Sequence, residues 1–134
     1  MKRLQPYLIF AGNCEEALNY YASCLGGDIV MLQRYSESPL DVAEEHAARV
    51  FNSAFRSEDI AFMASDNLPQ QKLDVGSNFS MFVTFSDAAE QDRTFEALAR
   101  DGRVLFPLRG GFGMLEDRFR MRWMLALEED SSQS

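Results

Sequence analysis

The chain has 134 residues, of which 46% are apolar and 25% charged, the composition of an ordinary globular protein with one domain's worth of core. Its formal net charge of −8 argues against nucleic acid and anionic membrane surfaces as partners, because binding phosphates depends on clustered basic residues. No apolar run reaches the roughly 18 residues of a membrane span, and no signal peptide pattern precedes the first strand, so we expect a cytoplasmic protein.

The first half of the chain predicts a strand, a helix and three further strands. An apolar run at 7–10 is followed by Asn13 as a helix N-cap, with Glu16 three residues later in the spacing of a capping box. Helical spacing of apolar residues continues to the glycine pair at 26–27, which ends the helix. Strands are predicted over 28–35, 49–56 and 60–65, with an unpatterned loop at 36–45.

The second half repeats this order. A strand at 79–85 leads to a second N-cap, Asp87, again with glutamate three residues later, and the next helix ends at Gly102. Further strands are predicted over 104–106, 114–119 and 121–127, with 109–113 as a flexible loop. The predicted fold is α+β, with two βαβββ modules forming a curved mixed β-sheet cleft and helices outside. We expect module one at about 1–66, a linker at about 67–76, module two at about 77–127, and a disordered tail at 128–134.

Four phrases carry a family resemblance: Pro6 to Ala17, Phe62 to Asp66, Gly76 to Phe79, and Gly113 to Phe119 followed by Trp123-Met124. Together they resemble the vicinal-oxygen-chelate superfamily, which includes glyoxalase I, extradiol dioxygenases and the fosfomycin- and bleomycin-resistance proteins, and within it the PhnB-like branch. A ubiquinone methyltransferase label is often attached to this branch. The sequence does not support that activity, because no glycine-rich nucleotide loop follows its first strand.

The resemblance also implies where metal ligands would lie. In metal-dependent members, four strand positions hold His, Glu or Gln around a divalent ion that polarises substrate oxygens. The corresponding positions here are Gln5 or Pro6, Asn52, Ser80 and Met124. None is a strong ligand for a hard cation, and His46, the one histidine, lies in the unpatterned loop. We therefore predict no cofactor and disfavour the glyoxalase-type mechanism.

Period-two alternation in the family register places ten residues on one shared sheet face. They are Leu8, Phe10, Asn52, Ala54, Ser80, Phe82, Thr84, Arg122, Met124 and Ala126. Such a face is apolar with a few polar groups and one cation, which suits a small amphipathic or anionic ligand. The candidate ligand-binding residues are Phe10, Asn52, Ser80, Phe82, Arg122 and Met124. The alternative is that these residues form core, with Arg122 at a solvent edge.

The sequence departs from the family's usual pattern at the turn before the last strand. Relatives usually carry glycine where this chain has Arg120, just before the last strand. If the backbone keeps a positive φ there, a residue with a Cβ costs about 1 kcal/mol.

No catalytic residue is assigned from the sequence. Cys14 at the first turn of the first helix, Glu16 and Asp66 are candidates, but none has a second catalytic group beside it in sequence. Cys14 and Cys24 lie too far apart on one helix for a disulfide. Three functions stay open: metal-free binding of a small molecule, a metal-dependent lyase, isomerase or dioxygenase, and a structural or regulatory dimer. The resemblance implies a homodimer, since many relatives complete their clefts across two subunits.

Overall fold

The computed structural model describes residues 1–128. Module one comprises β1 (Tyr7–Phe10), α1 (Cys14–Leu25), β2 (Asp28–Arg34), β3 (Val50–Ser57) and β4 (Ile60–Asp66). Module two comprises β5 (Met81–Phe85), α2 (Ala88–Ala99), β6 (Arg103–Arg109), β7 (Phe112–Glu116) and β8 (Arg122–Leu127). The predicted α+β class and the repeated βαβββ order are confirmed. Apart from Glu128, the predicted tail lies outside the described residues.

Each module contains one four-stranded mixed sheet, and the two sheets have the same topology. The strand orders are β1-β4-β3-β2 and β5-β8-β7-β6, with the first two strands of each order parallel and the remaining pairs antiparallel. The chain divides into two compact units after Asp74. Across residues 1–128, neither helix is long and apolar enough to cross a membrane.

One face of the sheet in module one, the helix face, packs against α1. Phe55 and Phe62 stack on this face with ring centroids 4.9 Å apart, and Tyr21 of α1 meets Phe62 edge to face at 6.0 Å. Tyr21 and Leu18 are fully buried. Burying a large apolar side chain contributes roughly 1.5–3 kcal/mol, so this contact stabilises the module.

Strand register shows that Leu8 and Phe10 lie on the helix face, which corrects the predicted shared face. β1 runs parallel to β4 with Leu8 opposite Ala64, and Leu8 and Phe10 are only 5% and 2% exposed. Tyr7 and Ile9 lie on the opposite, open face. There the Tyr7 hydroxyl donates a hydrogen bond to Oδ1 of Asn52 at 2.8 Å.

In module two, α2 packs against the face of the sheet that carries Leu115 and Leu125, both fully buried. Gln91 of α2 is buried, and its Nε2 donates to the carbonyl oxygens of Gly111 at 3.1 Å and Leu125 at 3.2 Å. A Cβ at Gly113 would lie 2.7 Å from the ring of Phe95, so glycine there permits α2 to pack closely on β7.

The connection between β6 and β7 is shorter than the flexible loop predicted at 109–113. β6 continues through Pro107 to Arg109, and a turn at Gly110 and Gly111, with φ of 62° and 79°, leads directly into β7 at Phe112. Positive φ at both central residues suits a two-residue hairpin, which glycine allows without strain. Pro107 is accommodated because β6 is an edge strand, whose pairing to β7 is irregular on both sides of Phe106.

Candidate functional site

The N-terminus of α1 is capped by a distant carboxylate and not by the predicted side chain of Asn13. Asn13 makes no side-chain cap hydrogen bond. Instead, the backbone N–H groups of Gly12 and Cys14 donate to Oδ1 of Asp66 at 3.0 and 2.9 Å, and that of Val50 donates to Oδ2 at 3.0 Å. Asp66 is 2% exposed with both oxygens occupied, so its role is structural rather than that of a general base.

The thiol of Cys14 is equally unsuited to catalysis. It is fully buried, with Sγ 3.9 Å from Oγ of Ser53. Burial, reinforced by the nearby carboxylate of Asp66, raises the pKa of Cys14 to about 12. Because the thiolate is the nucleophilic form, Cys14 is inert at neutral pH.

A cleft of about 360 Å³ lies beside the N-terminus of α1, lined by charged residues of both signs. Its arginines are held by the protein itself. Arg34 donates from Nη1 to the carbonyl of Ala48 at 2.9 Å and pairs with Glu15 at 3.1 Å. Arg49 donates from Nη1 to the carbonyl of Asn67 at 2.9 Å. These contacts tie the loop before β3 to β2 and to the segment that follows β4.

The face of the sheet in module two that points away from α2, its open face, is arranged in rows across the strands. The charged row is Arg103, Glu116 and Arg122, which are aligned partners on β6, β7 and β8. The apolar row is Phe106, Met114, Met124 and Phe82, likewise aligned on β6, β7, β8 and β5. The rows are two residues apart along β7 and β8, roughly 7 Å, and three residues apart along the irregular β6. The open face therefore places charge and apolar surface side by side.

Glu116 stands between two arginines in the charged row. Arg103 donates from Nε to Oε2 of Glu116 at 2.8 Å. Nε of Arg122 lies 3.7 Å from Oε1, too far for a hydrogen bond. The side chains of Glu116 and Arg122 are only 15% and 18% exposed, and within residues 1–128 Nε of Arg122 is buried with no hydrogen-bond partner.

The predicted site residues fall in three places. Phe82, Arg122 and Met124 come together on the open face of module two, and Ser80 immediately precedes β5. Asn52 lies on the open face of module one, opposite Gln33. Phe10 lies on the helix face. Ligand binding by these residues stays a prediction.

The predicted site did not include Arg103, Glu116, Phe106 or Met114, which lie on the open face of module two. The spacing of Met114 and Glu116 is that of one strand face, and this signal was available in the sequence. Their alignment with Arg122 and Met124 depends on pairing between strands, which no local pattern reveals.

The residues at the implied metal positions do not fit a divalent ion. Oδ1 of Asn52 already accepts the hydroxyl of Tyr7, Met124 offers a thioether, and the set contains neither carboxylate nor imidazole. His46 lies in a short 3₁₀ turn beside Glu45, with Nε2 and Oε1 3.7 Å apart. Across residues 1–128, no group of three or more His, Cys, Asp or Glu side chains is placed to hold a metal.

Comparisons with known proteins identify the family. The model of the family described as 3-demethylubiquinone-9 3-methyltransferase matches residues 2–126. Protein YjdN of Escherichia coli is 30% identical, over 91% of this chain and 92% of that protein. Protein PA1353 from Pseudomonas aeruginosa has a TM-score of 0.86 at 33% identity, covering 97% of this chain and all of that one. A putative 3-demethylubiquinone-9 3-methyltransferase, PhnB protein, from Bacillus cereus has a TM-score of 0.78 at 29% identity, with coverage of 95% and 100%. The chain belongs to this PhnB-like family.

Proposed function

We propose that this protein binds, without a metal, a small molecule that has an anionic group and an apolar body, on the open face of module two. The observation that supports this most directly is Arg122, whose buried Nε lacks a hydrogen-bond partner in the described residues and which adjoins the apolar row. A buried donor without an acceptor costs free energy in the unliganded protein. An anionic ligand at the partly exposed side chain of Arg122 would offset that cost through charge attraction.

The chemistry of the face suits such a ligand. A guanidinium binds a carboxylate through two parallel hydrogen bonds, which orient as well as attract it. Met114 and Met124 supply flexible apolar contacts, while Phe82 and Phe106, 58% and 60% exposed, supply apolar area that water contacts in the free protein. Asn52 and Ser80 remain candidate polar contacts. Phe10 is not included, because it is buried on the helix face.

Titration with hexanoate tests the proposal, with the methyl resonances of Met114 and Met124 followed by NMR. We expect saturable shifts at both methionines in the wild-type protein and their loss in Arg122→Gln. The matched control is Arg93→Gln, because Arg93 is an exposed arginine on α2. Hexanoate shifts that persist in Arg122→Gln, or that are missing from the wild-type protein, would contradict the proposal.

The predicted homodimer and cytoplasmic location are part of the same proposal. Family membership supports the dimer through the assemblies expected of this superfamily. Cys14 and Cys24 are both free thiols, which agrees with a reducing compartment. The metal-dependent alternative is disfavoured by the donor chemistry at Asn52 and Met124.

A further inference from the structure

We infer that the open face of module two selects a monoanion of the carboxylate class over a dianion such as a phosphate monoester, and that Glu116 determines this selectivity. This inference rests on the proposed function, and it concerns the charge that the ligand carries. It follows from the position of Glu116 between Arg103 and Arg122.

The charges of the row add to one positive charge, from two guanidinium groups and one carboxylate. Arg103 is 61% exposed, so solvent weakens its field, but its hydrogen bond to Oε2 still offsets part of the charge of Glu116. Arg122 and Glu116 are far less exposed and interact through a less polar medium. A ligand anion at Arg122 therefore meets one effective cation with a carboxylate only 3.7 Å from its Nε. One ligand charge is balanced there, while a second is repelled by Glu116 and by a chain of net charge −8.

Arg103 holds Glu116 in this position. Its Nε donates a hydrogen bond to Oε2 of Glu116 at 2.8 Å. Arg103, Glu116 and Arg122 are aligned across three strands, which restricts how far the carboxylate can turn away. With Oε2 bonded to Arg103, Oε1 lies 3.7 Å from Nε of Arg122, which is an ion pair without a hydrogen bond. Arg103 is thus a positioning residue, and Glu116 limits the charge that the site accepts.

The apolar row determines the rest of the ligand. It begins roughly 7 Å from the charged row, the distance of two residues along a strand. The chain of hexanoate, with its carboxylate at Arg122, is long enough to reach Met124 and its neighbours in that row. The inferred ligand class is therefore a monocarboxylate with an aliphatic or aromatic body of about six carbons or more.

The test compares hexanoate, hexyl phosphate and hexan-1-ol by NMR titration at pH 8, where hexyl phosphate is a dianion and each compound contains six carbons in an unbranched chain. In the wild-type protein we expect hexanoate to bind about tenfold more tightly than either of the others. Glu116→Gln should tighten hexyl phosphate about fivefold or more and remove the preference, because it deletes the repelling charge. Glu96→Gln, at an exposed glutamate of α2, is the matched control and should change neither affinity.

Arg103→Gln gives an independent measurement at an exposed side chain, in case Glu116→Gln perturbs folding. Without Arg103 the row loses one positive charge and Glu116 can shorten its ion pair with Arg122 into a hydrogen bond, so hexanoate should bind about threefold or more weakly. Wild-type protein that prefers hexyl phosphate, or a preference that survives both substitutions, would overturn the role of Glu116 while leaving the proposed function intact. Failure of both anions to bind would overturn both, and equal binding of hexan-1-ol and hexanoate would remove the ionic contact on which both depend.

Discussion

Asp66 connects three parts of module one through a single buried carboxylate. Its oxygens accept backbone N–H groups from the start of α1 and the start of β3, and its own carbonyl oxygen accepts the hydroxyl of Tyr35 at 2.8 Å. Hydrogen bonds to a charged acceptor contribute about 1.5–3 kcal/mol each, and the donors would be costly to leave buried without a partner. A residue that sequence alone offered as a base is thus a structural element of the fold.

Asp66→Asn should destabilise the protein by about 2–4 kcal/mol, because the amide retains one acceptor oxygen and turns an NH₂ group toward a backbone donor. Urea denaturation followed by circular dichroism measures the loss. Asp41→Asn, in an exposed loop, is the matched control and should stay within about 0.5 kcal/mol of wild type. Equal stability of the two variants would show that the cap contributes little.

Arg120 has a positive φ of 71°, the backbone conformation considered for this position from the sequence. Arg120→Gly should therefore raise the free energy of unfolding by about 0.5–1 kcal/mol, the cost of a Cβ in the left-handed region less the added entropy of the unfolded chain. Thermal unfolding measures the change. Arg120→Ala removes the same side chain but keeps the Cβ, so it should give no such gain, and a gain as large as that of glycine would assign the effect to the side chain.

Both modules have the same close contact between a glycine and a neighbouring strand, at the turn that joins each helix to the next strand. A Cβ at Gly27 would collide with the carbonyl oxygen of Arg56 at the end of β3, and one at Gly102 with that of Glu116 at the end of β7. Gly27 also has a positive φ of 96°, whereas φ at Gly102 does not require glycine, since the left-handed residue there is Asp101 with φ of 62°. The glycine predicted to end the second helix is thus required by packing.

Gly102→Ala should consequently lower the free energy of unfolding by about 2–4 kcal/mol, because the backbone around Gly102 or around Glu116 must move to admit the Cβ. Gly110→Ala is the informative control: its φ is 62° but nothing lies within 4 Å of the added Cβ, so only about 1 kcal/mol of backbone strain is expected. Urea denaturation of both variants distinguishes packing from conformation. A larger loss at Gly110 than at Gly102 would contradict the packing explanation.

The elements could be predicted from sequence because their signals are local. Capping residues, helical spacing and the glycine pairs lie within a few positions of the structures that they determine, and Asp87 indeed accepts the N–H of Glu90 at 3.1 Å. The predictions that failed concern contacts between residues far apart in the sequence. The cap of α1 comes from Asp66, 52 residues beyond Cys14. The four apolar residues of β1 do not alternate, so only pairing with β4 reveals which face they occupy.

For the whole molecule, the proposed homodimer makes a direct prediction. Size-exclusion chromatography with light scattering at micromolar concentration should give twice the 15.2 kDa mass of the chain. Repeating the measurement with saturating hexanoate tests whether association depends on the ligand. A mass of one chain in both conditions would contradict the homodimer.

The irregular edge strands limit the routes by which copies of this protein can assemble. β6 carries Pro107 and pairs irregularly with β7, and β2 shows two breaks in its register with β3. Both strands lie at the outer, antiparallel edge of their sheets, where regular unpaired backbone groups would invite another strand. An irregular edge strand of this kind is a poor template for cross-β growth. We therefore expect that β2 and β6 do not start fibrils in concentrated solutions. A sheet that continues from one copy into another would begin at the opposite edge strand, β1 or β5.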